Sequence, residues 1–114
     1  MNRTAIREQA FKLVYSLEIQ KQEDLNEAIE LYEESNKITD ENAKTYIKDV
    51  ILGIQKNKDE ITKNIKENLK AEWKLERISK IDLAILKLAI YELQYTEIPF
   101  KVVINEAVEL AKEF

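Results

Sequence analysis

The chain contains neither histidine nor cysteine. That removes the commonest general base, the strongest side-chain nucleophile and the usual transition-metal ligands, and it leaves no disulfide or thiol redox chemistry. A reducing cytoplasm is therefore compatible with the composition. Glycine and proline occur once each, as Gly53 and Pro99. Two such residues cannot supply the turns of a set of hairpins, and no stretch alternates strictly enough for half-buried strands, so helices are the expected elements. Met1 to Thr4 lacks the apolar run of a secretory signal, and no segment reaches the ~20 apolar residues of a membrane span. These absences predict a soluble, cytoplasmic chain. Ser16, Ser35 and Ser79 have no evident activating partner, and Glu33 and Glu34 read as a solvated helix end. Phosphate-binding glycine loops and calcium-loop spacings are missing as well. With so little to build an active site from, the sequence predicts a binding protein that is not an enzyme and needs no cofactor or metal.

Hydrophobic residues make up 45% of the chain and charged residues 35%, a balance that folds and that a disordered chain does not show. At 114 residues a single domain spanning 1–114 around one core is expected. The formal charge is -4, which argues against a generic nucleic-acid binder, because phosphate neutralisation dominates non-specific affinity. Charge is uneven along the chain. Residues 23–49 hold three basic and nine acidic groups, whereas residues 50–81 hold eight basic and five acidic; residues 1–22 are also basic on balance.

Apolar residues recur at helical spacing in five places. Ile6, Ala10, Leu13, Val14 and Leu17 share a face from Thr4 to Gln20, with Thr4 as the expected cap and Arg3 and Arg7 exposed on another side. A short helix from about Asp24 to Glu34 carries Leu25, Ala28, Ile29 and Tyr32, and Ser35 to Lys37 ends it. Thr39 and Asp40 resemble the cap of a long segment bearing Ala43, Tyr46, Ile47, Val50, Ile51 and Ile54, resumed by Ile61, Ile65 and Leu69. The polar run Gln55 to Glu60 predicts a break near Asn57. Gly53 marks either a kink or, the favoured reading, a close approach by another helix, because glycine costs ~1 kcal/mol relative to alanine inside a helix. From Ile78 to Leu93 hardly any polar face remains, which places that helix at the centre of the bundle. Pro99 then forces a new start, and Val103, Ala107, Leu110, Ala111 and Phe114 form the last stripe.

Two blocks say more than periodicity does. "REQAFKLVY" from Arg7, and "IDLAILKLAIYEL" from Ile81 followed by "IPFKVVINEAVELAK" from Ile98, together resemble the NusB family of bacterial transcription antitermination factors, with "ILGIQKN" at Ile51 to Asn57 in support. The resemblance covers essentially the whole chain. It implies an all-α bundle of two packed helical halves, apparently lacking the family's final helix, with no catalysis. It also implies two partners: the small ribosomal protein NusE, and single-stranded boxA RNA bound jointly with it, in an RNA polymerase antitermination complex that supports ribosomal RNA transcription. An acidic chain fits such a shared RNA site.

Mapped onto this sequence, the family's basic N-terminal region falls on Arg3 and Arg7, with Lys12 a weaker candidate and Tyr15 able to stack on a base or to serve the core. The partner surface falls on Asp82, with Glu76, Arg77 and Trp73 as lesser candidates. Asn105 and Glu106, in the "INEA" block, read first as structural, holding the turn after Pro99. The chain opens with fewer arginines than family members usually have, and it stops inside its last stripe, so a segment beyond Phe114 is expected and Val103 to Phe114 would be partly uncovered without it. Two other readings remain at this point: the NusB-like N-terminal module of a ribosomal RNA cytosine-5 methyltransferase, and a helical scaffold that forms a homodimer through its apolar stripe.

Overall fold

The structure, a computed structural model, describes residues 1–69 and 74–114. Among the described residues six α-helices follow one another: α1 (Arg3–Ile19), α2 (Leu25–Ser35), α3 (Glu41–Lys56), α4 (Lys58–Asn68), α5 (Lys80–Tyr95) and α6 (Phe100–Glu113), with a 3-10 turn at Leu75–Arg77. The described residues contain no strand. The fold is all-α, as the shortage of turn residues predicts.

Local chemistry sets the helix ends. Asn2, not Thr4, caps α1: its side chain accepts from the Ala5 amide at 2.8 Å, while the Thr4 hydroxyl donates to Glu106 at 3.0 Å. Asp24 caps α2 through the Glu27 amide, and Asp40 caps α3 through the amides of Asn42 and Ala43. Ser79 caps α5 by accepting from the Asp82 amide at 3.1 Å. The chain leaves α2 through Lys37, whose φ of 53° lies in the left-handed region. The predicted break falls at Asn57, where its amide and side chain both donate to the Gly53 carbonyl, at 3.0 and 2.8 Å. Pro99 ends the loop after α5, and α6 begins at the next residue.

The core sits where α1, α3 and α5 pack on one another. The second helix lies on α3, α4 lies against α3 and α5, and α6 lies on α5. Phe11, Ile47, Val50, Ile61 and Leu88 fill this centre with essentially no exposed surface. With four of the other five α-helices against it, α5 is the hub, as its nearly continuous apolar run requires.

Gly53 is explained by its neighbour. A methyl group at that position would lie 2.9 Å from Cζ of Tyr91 and closer still to Cε1, so the Tyr91 ring occupies the space a side chain would need. The single glycine lets α5 approach α3.

Candidate nucleic-acid interface

The first helix carries all four residues expected to meet RNA, and the structure divides them. Arg3 is exposed in the first turn, and Lys12 is exposed two and a half turns on. Tyr15 is half-buried. Arg7 is 1% exposed, so its reading as an exposed charge ready for RNA is corrected. Its position decides this: Arg7 lies three residues before Ala10, four before Phe11 and seven before Val14, all buried, and therefore on the core face of α1.

A buried arginine needs a carboxylate, and Glu92 of α5 supplies it. Arg7 Nε donates to both Glu92 oxygens, at 3.0 and 2.8 Å, and Nη2 also donates to that carboxylate. The Tyr46 hydroxyl of α3 donates to Glu92 from the other side. Arg7 Nη1 reaches Glu106 of α6 at 3.4 Å, and the Glu106 carboxylate also accepts from Thr4. Four helices thus meet at one polar knot inside an apolar core. Burial alone would lower the pKa of Arg7, but hydrogen bonding and charge from Glu92, then charge from Tyr46 and Glu106, raise it above its ordinary value. Burial and the Glu92 carboxylate hold the Tyr46 phenol above its ordinary pKa, so it stays a donor. Glu106 is structural, as expected, but what it ties down is α1 and not the turn after Pro99.

Sequence reading overlooked Glu92. It lies four residues after Leu88 and seven after Ile85, and a lone carboxylate on that face is the signal that was available. Tyr46 had been counted among apolar residues, which hides its hydroxyl.

The outward side of α1 carries Lys12 and half-buried Tyr15, with Phe11 buried next to them. Phe11 and Tyr15 stack with ring centroids 6.3 Å apart and planes 13° from parallel. Phe114, at the end of α6, packs on Phe11 at 5.2 Å, and Lys12 Nζ lies 5.7 Å from the Phe114 centroid. Phe114 itself is 43% exposed. A lysine beside the exposed Phe114 ring combines a phosphate partner with a stacking surface, the two elements single-stranded nucleic acid uses. The sequence pattern placed Phe114 in the core stripe and so missed it.

The residues expected to meet a protein partner cluster along the chain. Glu76 and Arg77 are exposed on the 3-10 turn, and Asp82 is exposed in the first turn of α5, where an acidic group also suits the helix dipole. Trp73 lies outside the described residues.

Among the described residues no cluster of acidic side chains could hold a metal ion, and no helix is long and apolar enough to cross a membrane. These features define an all-helical protein organised around one hub helix. The chain belongs to the NusB family, whose model matches residues 4–114. It is 52% identical to the transcription antitermination protein NusB of Acetivibrio thermocellus, covering all of this chain and 77% of that protein. The corresponding protein of Clostridium novyi is 45% identical, with coverage of 100% and 86%. A solved structure of T. maritima NusB superposes with a TM-score of 0.87 at 34% identity, over the whole of this chain and 79% of that one.

Proposed function

We propose that this protein is a transcription antitermination factor that binds boxA-type single-stranded RNA jointly with the ribosomal protein NusE, in the antitermination complex on RNA polymerase that transcribes ribosomal RNA operons. The observation that carries this reading is the juxtaposition of Lys12 with the exposed Phe114 ring, beside half-buried Tyr15 on the same helix. Membership of a family whose relatives are named for antitermination supports it. Arg3 and Lys12 take phosphates and Tyr15 offers a ring edge. Arg7 is withdrawn from this set, since its donors are engaged by Glu92 and Glu106. Asp82, with Glu76 and Arg77 beside it, forms the edge for NusE.

Fluorescence anisotropy with a boxA-type RNA tests the proposal. Binding is weak for the chain alone and much tighter with NusE present. Lys12→Ala and Tyr15→Ala weaken it, and each lost phosphate contact reduces the salt slope by ~0.7. Asp82→Lys abolishes the tightening by NusE while leaving binding of RNA alone unchanged. The reading fails if an unrelated strand binds equally well, with and without the partner. Self-association is a second reading, favoured by an apolar row on α6 described below.

A further inference from the structure

The lysines of the basic segment 50–81 take no part in the proposed RNA or NusE contacts, yet the fold gathers two of them, Lys58 and Lys80, at one place. A groove of about 410 Å³ opens between the end of α1, the α3–α4 junction and the start of α5. Its floor is apolar, made by Val14, Leu17, Leu25, Ile51 and Ile54. Four lysines line it: Lys21 just after α1, Lys58 opening α4, and Lys80 and Lys87 on α5. Against them stand only Glu18 and Glu23, so the lining carries a net charge of +2 on a chain whose formal charge is -4. Lys87 is paired with Glu18. Lys21 comes from the loop between α1 and α2, Lys58 from α4 and Lys80 from α5, and all three are exposed.

The N-terminus of α4 reaches the groove at Lys58 with no side-chain cap on its first amides, although Asp59 and Glu60 follow in its first turn; α5 enters at Lys80, its first turn capped by Ser79 and carrying Asp82. Like charges drawn together from three parts of the chain repel one another, and an anion relieves that repulsion.

We propose that this groove binds a nucleoside phosphate, with the phosphates among Lys21, Lys58 and Lys80 and the base over the apolar floor. The volume is that of a small-ligand pocket, within the usual range of ~300–1,000 Å³. The source of that chemistry is either a free nucleotide or one nucleotide of a strand. Of the proposed RNA contacts, Arg3 opens α1, which at ~1.5 Å per residue spans ~25 Å before Lys21 follows its other end, and Tyr15 lies nearer, next to Val14 of the groove. Lys80 and Asp82 lie about 200° apart around α5, on opposite sides.

The test is titration of the chain, without NusE and without divalent metal, with adenosine triphosphate, inorganic phosphate and a short single-stranded oligonucleotide of unrelated sequence. Backbone amide shifts in 15N–1H spectra report position and affinity. The expected result is saturable nucleotide binding that moves the amides of Lys58 and Lys80, weakened about tenfold or more by the double variant Lys58→Glu, Lys80→Glu, as loss and reversal of close charges requires. The same charge reversal at Lys63, on α4 but outside the groove, changes affinity less than about twofold, the effect of a screened distant charge. Saturable binding of the triphosphate assigns a free nucleotide. Binding of the oligonucleotide alone, with the same lysine dependence, assigns a strand. The proposal is overturned by equal weakening from Lys63→Glu, by inorganic phosphate competing as well as the nucleotide, or by no saturable binding. Lys12→Ala, at a position outside the groove lining, leaves nucleotide binding unaffected, so failure of boxA binding and failure of this site are read separately.

Discussion

Arg7 and Glu92 set the energetics at the scale of single residues. Each is essentially inaccessible to water, at 1% and 0% exposure, so removing either leaves the other charged and unpaired in the core. Arg7→Met is expected to cost ~3–5 kcal/mol in urea unfolding, whereas Arg7→Met combined with Glu92→Leu costs much less, since replacing both members of a buried pair is often nearly neutral. Equal losses in single and double variants would show that packing, not charge, is what the pair provides. Loss of RNA binding in an Arg7 variant would for the same reason report on folding. Gly53 allows a second residue-scale prediction. Gly53→Ala gains ~1 kcal/mol of helix propensity but must displace the Tyr91 ring, an overpacking cost of ~1–3 kcal/mol, so the net change is destabilising. In a Tyr91→Ala background the same substitution becomes neutral or stabilising, which a double-mutant cycle measures. Both sites teach the same lesson about legibility. Gly53 was readable because glycine in a helix has few purposes. Arg7 was misread because its charge was weighed above its place on the stripe, three, four and seven residues from buried neighbours.

At the scale of elements, the caps carry the testable chemistry. Asp40 accepts from two amides of α3 and from the Met1 ammonium at 3.1 Å. The ammonium, through its hydrogen bond to the side chain, and the Ala43 and Asn42 amides hold the Asp40 carboxyl below its ordinary pKa. A carboxylate with a depressed folded value contributes stability above the unfolded pKa of ~3.9 and loses it as pH falls through the folded value. Stability of the wild type therefore falls more steeply below about pH 4 than that of Asp40→Asn, which keeps a cap but not the charge. Parallel pH profiles of the two proteins would remove Asp40 from the acid transition. The exit of α2 makes the opposite kind of prediction. Lys37 holds a left-handed φ that favours glycine, so Lys37→Gly stabilises by up to ~1 kcal/mol in thermal or urea unfolding. Helix boundaries were largely legible because such signals are local: Asp24, Asp40 and Pro99 act where they stand. The cap of α1 was misplaced by two residues because the Thr4 hydroxyl has a better use in Glu106, a partner 102 positions away that no local pattern reveals.

On the scale of the whole molecule, the question is which apolar surface remains uncovered, and α6 answers it differently from the sequence. Of the stripe expected to be partly uncovered, Val103 and Leu110 are buried and Ala107 is half-buried, while Ala111 and Phe114 are exposed. A second uncovered row is Phe100, Ile104 and Val108, at 67%, 38% and 46% exposure, one helix face away, with Leu93 of α5 also exposed. Both rows are apolar and both repeat every three to four residues, so periodicity cannot choose between them; only the packing of α6 on α5 does. Contiguous apolar rows on a helix surface mark contact sites, and an isologous pairing of two copies through this row is the arrangement in which each covers the other. Sedimentation equilibrium is then expected to show reversible dimers, and a thermal midpoint that rises with protein concentration, because a dimer stabilises the folded state by mass action. Ile104→Glu places a charge in the middle of the row, where Ile104 touches water already, so it abolishes the concentration dependence without lowering the midpoint of the dilute protein. A wild-type midpoint independent of concentration, with a monomeric mass throughout, would assign the row to a partner other than a second copy.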